Sequence, residues 1–289
     1  MKRRKGERLG IVLFLIPALL LFTMFFIYPI FNVVSMSFFD WNGISKPVFA
    51  GLQNYKDIFT DKVFTRSVMN NVIWAVAACS IQVSLALLMA LILSRKPRFW
   101  SFFRTIYFLP QVISGIALAM LWSAVYNSEF GMLNGLLKIV GLEHLTTNWL
   151  GNPKTAFVCV LIYGLFYIGY YMVIMMAGIT NIDESYYEAA KVDGASPIQT
   201  AFHVTIPLIK YSMLTCVTLA AIYGLRTFEQ VYLLTNGGPA NRTSLVVLYL
   251  YNQMRDNNYG GANASSVILI IVGAFVIVTI RKLFTLNKD

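Results

Sequence analysis

The chain has 289 residues, 57% hydrophobic and only 12% charged, against about 25% charged in an ordinary soluble domain. Five stretches, Leu9–Phe39, Ser67–Ser94, Thr105–Ser128, Thr155–Ile182 and Asn257–Ile280, contain no Asp, Glu, Lys or Arg, and each is longer than the roughly 20 residues with which an apolar helix crosses a bilayer. A soluble enzyme, a disordered chain and a disulfide-rich secreted module are excluded, and the expected fold class is an all-α polytopic membrane protein.

The net charge of +10 does not point to nucleic acid, because the basic residues crowd at the ends of apolar runs: the first eight residues, Arg95–Arg98, and Arg281 with Lys282. The basic start followed by an apolar run is too long for a signal-peptide core of about 7–15 residues and carries no A-x-A site, so it reads as a retained first span. Spans are expected near 10–33, 69–93, 105–127, 156–179, 208–232 and 262–283. With cytoplasmic termini, the inside segments hold 14 Lys and Arg in 60 residues and the outside segments 8 in 92, which predicts an N-in, C-in topology. Trp41, Trp100, Trp122 and Trp149 fall near span ends or in outside loops, as aromatic rings at headgroup level do. Cys79, Cys159 and Cys216 lie inside apolar runs and read as structural thiols. No metal-ligand spacing involves them or the two histidines, His144 and His203.

Two spans carry candidate pathway groups. Span four offers Tyr163, Tyr167, Tyr170 and Tyr171 at helical spacing, and span five offers Tyr223 and Thr227; aromatic faces with nearby polar groups suit a sugar, though such a stripe also serves packing. Arg226 and Glu229, three apart in span five, read as neighbours on one helix face, either paired with each other or facing the pathway.

The cytoplasmic segment 180–210 is shaped by local rules. Ser185 and Glu188 have capping-box spacing, Gly194 suits a helix end, and Ser196, Pro197 and Gln199 fit the cap, first turn and third position of a second helix. The segment predicts helix, glycine corner, helix, with Ala189 and Ala190 leaving room for another surface. No nucleotide-binding, zinc-protease or Ser-His-Asp pattern is present, so no catalytic residue is assigned.

Glu188-Ala189-Ala190, then Gly194, then Val204-x-Ile206-Pro207 resemble the EAA-x3-G-x9-I-x-L-P motif of bacterial ABC importer permeases, with Val204 for the usual Ile and Ile206 for the usual Leu. The segments Ser35–Gly43, Phe49–Tyr55, Phe108–Trp122 and Phe228–Pro239 are similar, in order, to the carbohydrate-uptake branch of the larger maltose-type subunit. This resemblance implies a type I importer fold: residues 1–68 as basic tail, first span and extracytoplasmic loop, and 69–285 as a five-helix core carrying the coupling loop at 180–210. It implies that Glu188, Ala189, Ala190, Asp193, Gly194 and Pro207 dock on a cytoplasmic ATPase. Register with maltose-type sugar contacts, together with the tyrosines, nominates Gly164, Tyr167, Tyr171, Tyr223, Gly224 and Thr227 for the substrate pathway. The Asn and Ser side chains expected for maltose are not reproduced, which argues against maltose itself.

The implied function is a non-enzymatic permease subunit of an ATP-driven sugar or oligosaccharide importer in a bacterial plasma membrane. Its implied partners are a second homologous permease, an ABC ATPase dimer that binds ATP and Mg, an extracytoplasmic solute-binding protein, the sugar and the lipid bilayer. The chain needs no cofactor of its own and no nucleic acid. The alternatives are import of glycerol-phosphate or another polyol-like solute, an ATP-independent secondary carrier, and a membrane-embedded enzyme.

Overall fold

A computed structural model describes the backbone of residues 5–285 and the side chains of residues 10–282. Helix α1 runs from Lys5 to Met36 through a π-helical turn at Thr23–Ile27. A two-residue hairpin follows, β1 (Phe39–Asp40) with β2 (Val48–Phe49), then α2 (Gln53–Thr60). The next elements are α3 (Lys62–Leu93), α4 (Trp100–Phe108), α5 (Gly115–Val125), α6 (Met132–Ile139), α7 (Ala156–Leu165) and α8 (Gly169–Thr180). The chain then forms α9 (Glu184–Val192), α10 (Pro197–Leu208), α11 (Lys210–Arg226), α12 (Glu229–Leu234), α13 (Val246–Arg255) and α14 (Tyr259–Thr285).

Among the described residues, four helices are long and apolar enough to cross a membrane: Gly10–Met36, Lys62–Leu93, Ala156–Thr180 and Tyr259–Lys282. The other two expected spans are not straight helices. In place of 105–127, Trp100–Gln111 and Gly115–Val125 meet at 99°; in place of 208–232, Pro197–Leu208 and Lys210–Arg226 meet at 73°. The breaks fall at residues 112–114 and at Ile209, each shortly after a proline, Pro110 and Pro207, that weakens the preceding turn by its missing N–H. Counting each bent pair once gives six spans. The fifth also ends earlier than expected, since Thr227 and Phe228 leave helical geometry. Arg226 and Glu229 therefore belong to different helices, and the single-face pairing read from their spacing is corrected.

The chain forms two compact units, the described parts of Met1–Asp61 with Leu250–Ile270, and of Lys62–Tyr249 with Ile271–Asp289. In the first, α1 exposes nearly every side chain from Gly10 to Phe31, as an evenly apolar helix does when lipid is its solvent. The hairpin pairs Phe39 with Phe49, their rings 5.5 Å apart. Asn42 closes its turn by accepting from the Ile44 and Ser45 N–H groups. Asn54 Nδ2 donates to the carbonyls of Ser37 and Phe39, and the Tyr259 N–H donates to the Trp41 carbonyl. Trp41 packs on Tyr259 at 5.3 Å and donates to Ser45, so its ring is tied into this unit's own structure.

The second unit is built around α3, α8 and α11. Ala86 and Ala90 on α3 and Met172 and Met175 on α8 are fully buried, with Cys216 and Ala220 from α11. Small residues matter because lipid supplies no hydrophobic drive between helices; close van der Waals approach and polar contacts supply it instead. Asn71, 2% exposed on α3, joins three backbone groups from two other segments. Its Nδ2 donates to the carbonyls of Gly224 (2.9 Å) and Leu225 (3.3 Å), which α11 leaves unpaired where it ends, and its Oδ1 accepts from the Val246 N–H (2.8 Å). Asn70 donates to the carbonyls of Arg242 and Ser244 in the loop before α13.

Replacing Asn71 with Leu keeps the side-chain volume but orphans those backbone groups. Each costs about 1–3 kcal/mol when buried unpaired. Asn71→Leu is expected to lower the unfolding temperature of the detergent-purified chain, whereas Asn42→Leu, in an exposed turn, produces a smaller shift in the same scan.

Candidate coupling loop and pathway site

Helix α9 starts two residues earlier than the Ser185–Glu188 spacing suggests. Its cap is Asp183, whose carboxylate accepts from the Ser185 N–H at 2.9 Å, and Ser185 lies inside the helix. A short acidic side chain in extended geometry outcompetes the serine because it satisfies the first-turn N–H groups and meets the positive end of the helix dipole. Hydrogen bonding from Ser185 holds the Asp183 carboxyl below the usual carboxylate range. At the corner, Gly194 has φ +73°. Helix α10 then opens with a complete capping box: Ser196 accepts from the Gln199 N–H, Gln199 Oε1 accepts from the Ser196 N–H, and Pro197 occupies the first turn.

The loop faces two ways. Glu188, Ala189, Asp193, Gly194 and Pro207 are exposed, and so are three large apolar side chains, Val192, Ile198 and Phe202. Ala190 is buried, so of the two alanines expected to receive a partner only Ala189 is presented outward. Inward, Tyr187 bonds Thr205 at 3.3 Å, and the Arg95 guanidinium donates to the Pro197 carbonyl at 2.9 Å. The loop is thus a stiff two-helix corner with an apolar, acidic outer face.

The pathway candidates separate into two groups. Gly164 lies under Trp74, and an added Cβ would sit 2.2 Å from its ring; Gly224 sits against the Ala75 backbone at 2.8 Å. Tyr171 is buried in the core beside Cys216, and Thr227 is buried with its hydroxyl donating to the Tyr223 carbonyl. Gly164, Gly224 and Tyr171 pack between helices, whereas Thr227, although buried, also borders an open depression at the end of α11. Of the tyrosines expected on one wall, Tyr163 and Tyr167 stay adjacent, rings 5.9 Å apart, although the helix breaks at Phe166–Ile168. Tyr163 turns into the core at 1% exposed, and Tyr170 turns outward.

Tyr167 and Tyr223, by contrast, are brought together, ring centroids 6.5 Å apart. Tyr167 hydroxyl lies 3.2 Å from Tyr163 hydroxyl, which is 3.2 Å from the Gly115 carbonyl; Gln230 Nε2 donates to Tyr223 hydroxyl at 2.9 Å. The Glu229 carboxylate completes the set, since a Cβ on Gly115 would fall 2.7 Å from its Oε2. Tyr223, Arg226, Glu229 and Gln230 border an open depression of about 460 Å³. Gly115 and Gln230 escape a sequence reading because they lie 115 residues apart in the chain, and no local spacing signals their convergence with Tyr163 and Tyr223. Among the described residues no group of three His, Cys, Asp or Glu is placed to hold a metal ion.

Ser196→Ala removes the cap of α10, worth about 1 kcal/mol. Amide exchange over 197–205 is expected to speed up about fivefold, with exchange in α3 unchanged, as measured by hydrogen–deuterium exchange mass spectrometry.

Residues 82–286 match the family described as binding-protein-dependent transport system inner membrane component. The chain is 37% identical to the probable ABC transporter permease protein YurN of Bacillus subtilis, over 96% of each chain. It is 30% identical to the trehalose/maltose transport system permease protein MalF of Thermococcus litoralis, over 93% of this chain and 92% of that one. Its fold matches a bacterial ABC transporter that imports the acidic polysaccharide alginate, with a TM-score of 0.85, 20% identity and 98% of both chains covered. Helical corner, broken spans and matched sequence agree: this multi-pass membrane protein belongs to the binding-protein-dependent transport system inner membrane component family.

Proposed function

We propose that the chain is the permease subunit of an ATP-driven importer for a sugar or oligosaccharide, forming half of the translocation pathway in a bacterial plasma membrane with both termini cytoplasmic. It works with a second homologous permease, a cytoplasmic ABC ATPase dimer that binds ATP and Mg, and an extracytoplasmic solute-binding protein. The observation that carries this reading is the capped, glycine-cornered loop with Val192, Ile198, Phe202, Glu188 and Asp193 outward. Apolar anchors with flanking carboxylates form a surface that a partner protein with a basic cleft recognises. A secondary carrier has no use for such a handle. The solute class rests on the Tyr167, Tyr223, Gln230 and Glu229 set, which offers ring faces and hydroxyl partners together, and on the trehalose/maltose transport named for the Thermococcus relative.

Motion is transmitted as a rigid body. ATP-driven closure of the ATPase moves α9 and α10, which the Tyr187–Thr205 bond holds together; the Arg95–Pro197 bond carries that movement to the end of α3, and chain continuity carries it from α10 to α11.

Both halves of the reading are testable in proteoliposomes holding the purified complex. Gly194 has open space around its Cβ position, so Gly194→Val acts through the left-handed backbone, at roughly 1 kcal/mol or more. It is expected to uncouple ATP hydrolysis from uptake, and Gly194→Asn, which tolerates that conformation, retains most of the coupling. Wild-type coupling in Gly194→Val contradicts a mechanical role for the corner. Tyr167→Ala removes a ring contact and a hydroxyl, and is expected to raise the KM for uptake about five- to tenfold with assembly intact. An unchanged KM assigns Tyr167 to packing.

A further inference from the structure

Two adjacent cavities lie where the Lys62–Leu93 and Ala156–Thr180 spans end, beneath the coupling loop. They share Ser94, Lys96 and Thr180. The larger, about 650 Å³, brings Arg95, Lys96 and Lys191 around hydroxyls of Thr180, Thr200 and Thr205, with Glu184 as its one carboxylate. The smaller, about 260 Å³, is walled by Leu93, Val173, Met176, Ala177 and Trp100, with Lys96 and Arg104 at its edge. Among the described residues, Lys96, Arg104 and Lys191 form no ion pair. Arg104 instead sits over the Trp100 ring at 4.9 Å, and Arg95 donates to the Pro197 carbonyl.

Cations gathered around one cavity repel each other unless an anion lies between them. The turn that gathers them holds two side-chain-bearing residues in left-handed geometry, Lys96 at φ 50° and Phe99 at φ 67°, a conformation such residues ordinarily avoid. A small free anion fits the larger cavity but leaves the apolar one beside it unexplained. An amphiphile with an anionic head explains both. Their level, at the cytoplasmic ends of two spans in the N-in topology, is that of the inner-leaflet headgroups.

We propose that the paired cavities bind one anionic phospholipid. Its phosphate lies among Arg95, Lys96 and Lys191, and the first part of an acyl chain lies against Leu93, Val173, Met176 and Trp100. Because Arg95 belongs to the α3–α4 turn and Lys191 to α9, the headgroup ties the coupling loop to the membrane core. The site is independent of which solute is carried.

Trp100 provides the probe. The full-length chain is reconstituted in phosphatidylcholine vesicles containing either brominated phosphatidylglycerol or brominated phosphatidylcholine at equal mole fraction. The Trp100 signal is isolated by difference from Trp100→Phe. Brominated phosphatidylglycerol is expected to quench it preferentially, and Lys96→Gln or Lys191→Gln each to reduce that preference about fivefold. Arg98, on the same turn but bordering neither cavity, serves as control, and Arg98→Gln is expected to leave the preference unchanged. Should Lys96→Gln fail to insert, Lys191→Gln, outside the spans, still gives the reading. Equal quenching by the two lipids overturns the site. Loss in Arg98→Gln as large as in Lys96→Gln overturns it in favour of diffuse surface charge, and loss on adding inorganic phosphate overturns it in favour of a free anion.

Discussion

In a bilayer, a helix that breaks or ends leaves carbonyls that no water reaches, and each must find a donor or the break is lost. Asn71 answers this for the end of α11 by donating to Gly224 and Leu225. Gln82 answers it for the interruption between α7 and α8, its Nε2 donating to Gly164 at 3.3 Å and to Tyr167 at 3.1 Å. Gln111 adds a second donor to Tyr167. Three side-chain amides thus license the irregular backbone on which the pathway site depends, because Tyr167 sits within one interruption and Glu229 just beyond another.

The same economy governs how the helices meet. Ala86 and Ala90 let α3 lie close to α8, and Gly224 lets α11 lie against Ala75, so the polar amides reach across short distances. Packing and hydrogen bonding are coupled: a bulkier residue at Gly224 would push away the carbonyls that Asn71 satisfies. Several nominated pathway residues belong to this framework. They fix where Tyr167 and Tyr223 stand, and Tyr223 borders the open depression.

The coupling loop is stiffened by different means, suited to water. Two side-chain caps, a left-handed glycine and a proline at a first turn define its corner with little buried area. Tyr187 and Thr205 tie its two helices together, and Arg95, from the turn after α3, donates to the Pro197 carbonyl. The corner is therefore defined by groups that lie within a few residues of one another.

The class, the four straight spans and the corner of the loop were legible in the sequence; the two bent spans were not. Long uncharged runs have no other stable solution than membrane helices, and the glycine, serine, proline and glutamine of the corner act within a few residues of one another. Local rules failed where two local solutions competed: Asp183 took the cap that Ser185 and Glu188 spacing suggested. Tertiary structure alone decided which tyrosines pack and which are presented. Helical spacing put Tyr163, Tyr167 and Tyr171 on one stripe, but across the interruption at Phe166–Ile168 Tyr163 and Tyr167 stay in contact while Tyr171 packs beside Cys216, and Gln82, more than 80 residues earlier, donates to the interrupted backbone. Proximity of Gly115, Tyr223 and Glu229 likewise arises from helices that bend shortly after Pro110 and end at Arg226, a consequence of packing that no periodicity records.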